Sequence, residues 1–299
     1  MTETSIFDSQ TVLPDDTLSR REKTLLGFAA RYARVHNQLR LLLNIGQLAT
    51  WNRQHHGGKL AICDLVAEQY PLVIFHGDVG TGKTAMAECM ANRLVGETRG
   101  AEDSLLFKLS NRVRGSGMVG EMGTLIAEAF KKVTASAGKT RRAILIIDEG
   151  DSLAATRTQQ HAHHEDKVAV NTLIQCVDDL RRYGGRIVVI LCTNRLSVVD
   201  PALQRRAAIV EEFRRPSDEE RRQLLTMDLD GLGLTAADID QLVAATGPRQ
   251  GVPAWTYSDI RTRLYPTALA NAYPDGPLRF EHLMSPAKAL KPSPVLEDR

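Results

Sequence analysis

Apolar positions along the chain fall into two regimes, one with helical spacing and one with short buried runs. Residues 1 to 17 are polar and show no period. Leu25, Phe28, Tyr32, Val35, Leu39 and Leu42 then recur at spacings of three and four, which predicts one long helix with a single apolar stripe. The stripe spans fewer than three heptads, so packing against its own domain is the expectation rather than a coiled coil. Gly57-Gly58 ends it. Beyond that point, strands are predicted at Leu72–His76, Leu105–Leu109, Ala143–Ile147 and Ile187–Leu191. They alternate with helices starting at Lys83, near Thr124–Val133 and over Val168–Arg182. Strands this uniformly apolar are buried on both faces, so the pattern predicts a parallel sheet between helices.

The pattern changes at Pro216. Ser217-Asp218-Glu219-Glu220 supplies a helix start with acidic residues in its first turn. Helical segments follow at Leu224–Leu229, Ala236–Ala245 and Tyr257–Ala272, separated by Gly and Pro. The expected division is therefore an N-terminal tail and helical segment over 1–64, a large α/β domain over 65–215, a small all-α lid over 216–284 and a disordered tail over 285–299. The tail expectation rests on Pro286, Pro292 and Pro294. No internal repeat is visible.

Composition narrows the function classes. Charged residues make up 25% and hydrophobic residues 43% of 299, ordinary values for a folded globular chain. Lys plus Arg total 38 against 36 Asp plus Glu, and aromatic residues are 5%. A net charge of +2 and few rings argue against a nucleic-acid partner. Cys63, Cys89, Cys176 and Cys192 form no C-x-x-C pair and read as buried thiols of a reducing compartment. No apolar run is long enough to span a bilayer and no leader pattern is visible, so a cytoplasmic protein without a membrane partner is expected.

The chemistry is concentrated in four segments. Gly77-Asp78-Val79-Gly80-Thr81-Gly82-Lys83-Thr84 matches G-x-x-x-x-G-K-[ST] between a predicted strand and helix, the context that defines a P-loop. Its backbone N–H groups would face phosphate oxygens, Lys83 would place a charge on the outer phosphates, and the Thr84 hydroxyl would reach Mg²⁺. Ala143 to Ile147 ends in Asp148-Glu149, the Walker-B arrangement. Asp148 would hold Mg²⁺ and Glu149 would polarise the attacking water. Asn194 follows the strand predicted to lie beside the P-loop strand. It either orients the water and senses the γ-phosphate or merely caps a turn. Arg205 and Arg206 close the segment Asp200-Pro201-Ala202-Leu203-Gln204-Arg205-Arg206. They do not easily reach phosphates bound by their own chain, so a neighbour's phosphates are the expected target. His161, His163 and His164 with Glu165 and Asp166 lack an apolar frame to fix ligand geometry, so no metal site is expected there.

Over roughly residues 65 to 272 these segments resemble the AAA+ ATPases. Within that superfamily the chain is similar to the pachytene-checkpoint remodellers of HORMA-domain proteins, including small bacterial members encoded with antiphage nucleotidyltransferases. The likeness is carried by Asp148-Glu149-Gly150-Asp151-Ser152-Leu153 with Arg157, by Asn171-Thr172-Leu173 through Asp178, and by Asp200-Pro201-Ala202-Leu203 with Arg206-Ala207. The resemblance implies ATP and Mg²⁺ as cofactors and a homo-oligomeric ring, usually of six. It also implies Arg206 as the trans-acting arginine finger with Arg205 in reserve, and a pore loop at Met118, Val119 and Gly120. A second-sensor arginine would be Arg261, or else Arg263. The implied activity is ATP-driven pulling on a HORMA-domain protein, with a nucleotidyltransferase nearby; the rival reading is a nucleic-acid or clamp-loader-like switch. One departure is that only about 65 residues precede the ATPase core, where eukaryotic members carry a folded adaptor domain.

Overall fold

The computed structural model describes residues 6–295 except 99, 102, 111–112, 114–120, 140 and 154–163. Among these, six strands form one sheet: β1 (Phe7–Leu13), β2 (Leu72–Gly77), β3 (Ser104–Leu109), β4 (Ala143–Ile147), β5 (Ile187–Thr193) and β6 (Ala207–Phe213). Their spatial order is β1-β3-β4-β5-β2-β6, with every pairing parallel except β1 against β3. Helices between the strands are α1 (Asp16–Glu22), α2 (Phe28–Leu43), α3 (Leu48–His56), α4 (Ile62–Ala67), α5 (Lys83–Glu97), α6 (Glu121–Ala137), α7 (Gly150–Leu153), α8 (His164–Asp179) and α9 (Pro201–Gln204). The C-terminal part holds α10 (Asp218–Asp228), α11 (Ala236–Thr246), α12 (Tyr257–Asp259), α13 (Tyr265–Ala272) and α14 (Phe280–Ala289).

The central strands bury both faces, which is why they read as continuous apolar runs. Leu72 and Ile74, Leu145 and Ile147, and Val189 and Leu191 point into one core with Ile126, Phe130, Leu173 and Val177 of α6 and α8. The alternate residues Val73 and Phe75, Ile144 and Ile146, and Val188 and Ile190 enter a second core with α2 and α5. Each such side chain contributes about 1.5–3 kcal/mol through burial.

The predicted stripe forms α2, and Phe28, Tyr32, Val35, Leu39 and Leu42 are all buried in that second core. The helix expected within residues 1–64 thus packs against the sheet and α5. The same segment also supplies β1, where no strand was expected. β6 was unpredicted for the same reason. Both are edge strands, so half of each faces solvent and polar residues such as Ser9, Gln10, Glu211 and Glu212 interrupt the apolar run.

The C-terminal helices enclose a third core around Leu224, Leu242, Trp255, Leu264 and Leu283. Their starts are set by capping boxes at Ser217 with Glu220, Thr235 with Asp238 and Thr256 with Asp259. The expectation of disorder from residue 285 needs correction. Helix α14 runs through Pro286 to Ala289, with Leu283, Pro286 and Ala287 buried and Phe280, Met284 and Leu290 against the lid core. That burial outweighs the interior proline, which costs about 3 kcal/mol in an isolated helix. No described helix is long and apolar enough to cross a membrane.

Candidate active site

The carboxyl ends of β2, β4 and β5 lie side by side, because β5 is hydrogen-bonded between β4 and β2. Parallel sheets place ligands at this end. Here the loops after the three strands line a cavity of about 490 Å³ together with the lid, bringing Lys83 and Thr84, Asp148 and Glu149, Asn194 and Arg261 into one site.

The P-loop leaves β2 through Gly77, whose φ is +129°. A Cβ there would come within 2.0 Å of the Phe213 carbonyl oxygen, so only glycine permits the close approach of β6. Gly80 is similarly constrained: its φ is +74° and an added Cβ would meet Thr256 Oγ1 at 2.6 Å. Its carbonyl accepts the Ser258 N–H at 3.1 Å, a direct contact between P-loop and lid. Lys83 opens α5 and is only 7% exposed. Its Nζ donates to the carbonyls of Gly77 at 2.8 Å and Asp78 at 2.9 Å, which holds the side chain along the loop. Burial lowers its pKa from the ordinary lysine value, opposed by nearby negative groups including Asp148 and Asp78.

Thr84 Oγ1 donates to Asp148 Oδ2 at 2.8 Å. A hydroxyl and a carboxylate oxygen thus meet at the N-terminus of α5, a hard-oxygen pair that fits Mg²⁺. Glu149 has φ +52°, uncommon for a residue with a side chain and worth about 1–3 kcal/mol of strain. Its N–H donates to Asp148 Oδ1 at 3.0 Å, so the turn that ends β4 also fixes the neighbouring carboxylate. Glu149 remains exposed at the mouth while Asn194 is half-buried beside it.

The lid contributes Arg261 from a π-helical turn (Ile260–Leu264) joining α12 to α13. Asp228 accepts from its Nε and Nη2, both at 2.7 Å, which aims the guanidinium beside the P-loop. Arg263 instead pairs with Asp259 at 3.3 Å and does not line the cavity. Arg205 and Arg206 are also outside it, just past α9, whose start is fixed by Asp200 and Pro201. Arg206 is held by both oxygens of Asp178 at 2.5 and 3.0 Å and lies over the Tyr70 ring. Met118, Val119 and Gly120 lie outside the described residues, as do Arg157, His161 and His163.

Two contributors escaped the sequence reading. Lys108 of β3 puts Nζ 3.6 Å from Asp148 Oδ2 and 3.9 Å from Glu88 Oε1. A lone charge in the apolar run Leu105–Leu109 was its only signal. The other is the segment before α2, whose Arg21, Thr24 and Leu25 line the cavity itself; the helical stripe marks only Leu25 and assigns it to packing.

Comparison with known proteins places this site in a family. Residues 73–215 match the model for the ATPase family associated with various cellular activities (AAA). The chain is 65% identical over 298 residues to CD-NTase-associated protein 6 of Escherichia coli (strain KTE188), covering 100% of both chains. A chain of the E. coli MS115-1 HORMA:CdnC:Trip13 complex superposes with a TM-score of 0.87 at 36% identity, over 97% of each chain. Rhizobiales Trip13 gives 0.70 at 32% identity, over 96% of this chain and 99% of that one. With the P-loop, the paired carboxylates and the lid arginine assembled in one cavity, and with likeness over its whole length, the chain belongs to the AAA ATPase family and is an ATPase.

Proposed function

We propose that the protein is an ATP-driven ring that remodels a HORMA-domain protein and thereby restrains an antiphage nucleotidyltransferase. The observation that carries this reading is the likeness, at 36% identity over 97% of each chain, to a chain of a HORMA:CdnC:Trip13 complex. It extends through β1, the sheet and the lid, so it covers more than the ATPase core common to the wider family. The nucleotide site supports the same reading. Lys83, Thr84, Asp148, Glu149, Asn194 and Arg261 share one cavity, whereas Arg205 and Arg206 lie outside it. A finger supplied by a neighbouring subunit fits this arrangement, and a ring of six subunits is the proposed assembly.

In this mechanism the P-loop N–H groups and Lys83 bind the ATP phosphates, and Thr84 and Asp148 would hold a Mg²⁺ that would supply positive charge against the phosphates. Glu149 accepts a proton from the attacking water, Asn194 orients that water, and Arg261 follows the outer phosphate from the lid. Arg206 of the neighbour stabilises charge on the transferred group. Asp178 and Tyr70 hold that guanidinium on its own chain.

Met118 and Val119 are proposed to grip a flexible segment of the HORMA protein in the pore, with apolar contacts that tolerate varied side chains. The test replaces both with Ser and follows ATP-dependent release of the HORMA protein from its bound peptide. Release should fall at least about tenfold while ATP hydrolysis without substrate stays within about twofold of wild type. Full release by the double variant would remove the pore loop from the mechanism.

A further inference from the structure

Arg215 stands where the α/β body passes into the lid, and its buried guanidinium joins three segments distant in sequence. Its Nε donates to the carboxylate of Asp78 in the P-loop. Nη1 donates to the Ala254 carbonyl of the lid at 2.6 Å, and Nη2 to the carbonyls of Ser293 and Pro294 at 2.8 and 2.9 Å. The side chains of the Arg215–Asp78 pair are only 11% and 13% exposed.

A second connection lies alongside. Asp259, 1% exposed, accepts from the Ser293 hydroxyl at 2.6 Å and from the N–H groups of Ser293 at 3.2 Å and Thr256 at 3.0 Å. Burial pushes this carboxyl up, and the bonds from Ser293 and Thr256 outweigh burial to hold it below the ordinary aspartate value. Ser258, one residue before Asp259, binds the Gly80 carbonyl. The segment after α14 therefore crosses the junction at which P-loop and lid meet.

We propose that Arg215 is a positioning residue for the nucleotide site, and that the C-terminal segment Ser293–Pro294 is a strap which, through Arg215 and Asp259, sets the lid against the P-loop and so the tightness of nucleotide binding. Two physical points support this. The donors of a guanidinium are fixed in one plane and the group stays charged. Displacing lid or strap therefore costs at least one hydrogen bond to a charged group that is largely shielded from water. Asp78 is also a negative charge in a loop that receives phosphates. Arg215 neutralises it, and without Arg215 that carboxylate repels the ligand. Both sides of the junction line the cavity, Val79 and Gly80 from the loop and Tyr257, Ser258 and Arg261 from the lid.

The proposal rests on the nucleotide reading of the P-loop and not on which partner the ring remodels. The experiment measures ATP affinity and basal turnover on the full-length protein, on Arg215→Ala, on Arg215→Lys and on a chain ending at Leu290, which keeps α14 whole. Arg215→Ala should weaken ATP about tenfold, and truncation and Arg215→Lys about threefold each. Combining Arg215→Ala with truncation should fall short of the product of the two single effects, because the strap acts partly through that guanidinium and only in part through Asp259. Asp78→Asn added to Arg215→Ala should recover part of the lost affinity, an effect that general loosening of the fold would not produce. A truncated chain with wild-type affinity and turnover, multiplying effects of Arg215→Ala and truncation, or no recovery with Asp78→Asn would each overturn the proposal. Failure of the wild type to bind ATP would overturn the nucleotide reading as well.

Discussion

Lys83→Ala should lose ATP binding, and Glu149→Gln should bind ATP as the wild type does yet hydrolyse it at least about a hundredfold more slowly. The two variants separate because the residues act at different stages. Lys83 is the cation buried against the P-loop carbonyls, at 2.8 and 2.9 Å, and its removal takes away the loop's own charge on the outer phosphates. Glu149 acts at the later stage. It stands at the cavity mouth on a strained turn, where a carboxylate can take a proton and an amide cannot. A nucleotide titration and a turnover assay on both variants check this. Unchanged affinity in Lys83→Ala, or near-normal turnover in Glu149→Gln, would remove the site assignment.

The second large effect is expected at Arg206. Arginine fingers contribute about 10³–10⁵ in rate where measured, so Arg206→Ala should bind ATP normally and turn it over at a small fraction of the wild-type rate. Arg206 is anchored by Asp178 just past α9, outside the cavity of its own chain. Its loss should therefore be repaired by a neighbour. Rings mixed from Arg206→Ala and Glu149→Gln subunits contain interfaces with an intact Glu149 on one side and an intact Arg206 on the other. They should recover turnover that neither variant shows alone. Mixed rings that form but stay inactive would place Arg206 outside the reaction.

The parts of this account legible in the sequence are those fixed by local chemistry. A P-loop needs glycines where the backbone turns left-handed or approaches another strand, and Gly77 and Gly80 meet both conditions. The Walker-B pair needs a buried strand ending in carboxylates, and β4 is buried along its whole length. Asn194 could be placed because a parallel sheet of this winding puts β5 beside β2. Features set by contacts far along the chain were not legible. Strands β1 and β6 carry the polar residues that sheet edges allow. Lys108 gains its meaning only when β3 lies beside β4. The prolines after Met284 gave no sign that α14 would be held by the lid core. Nor did they show that Ser293 and Pro294 would bind Arg215, 78 and 79 residues away. Of the two lid arginines, only the geometry separates Arg261, aimed into the cavity by Asp228, from Arg263, which faces Asp259.

ATP turnover at this site is proposed to do mechanical work on a HORMA-domain protein. The most direct measurement of that work follows a preassembled complex of the cognate HORMA protein with its nucleotidyltransferase after addition of the ring and ATP. Wild-type protein should dissociate the complex only with hydrolysable ATP, and Glu149→Gln should bind the complex and leave it intact. Dissociation that proceeds equally without ATP, or an intact complex after wild-type turnover, would contradict the account.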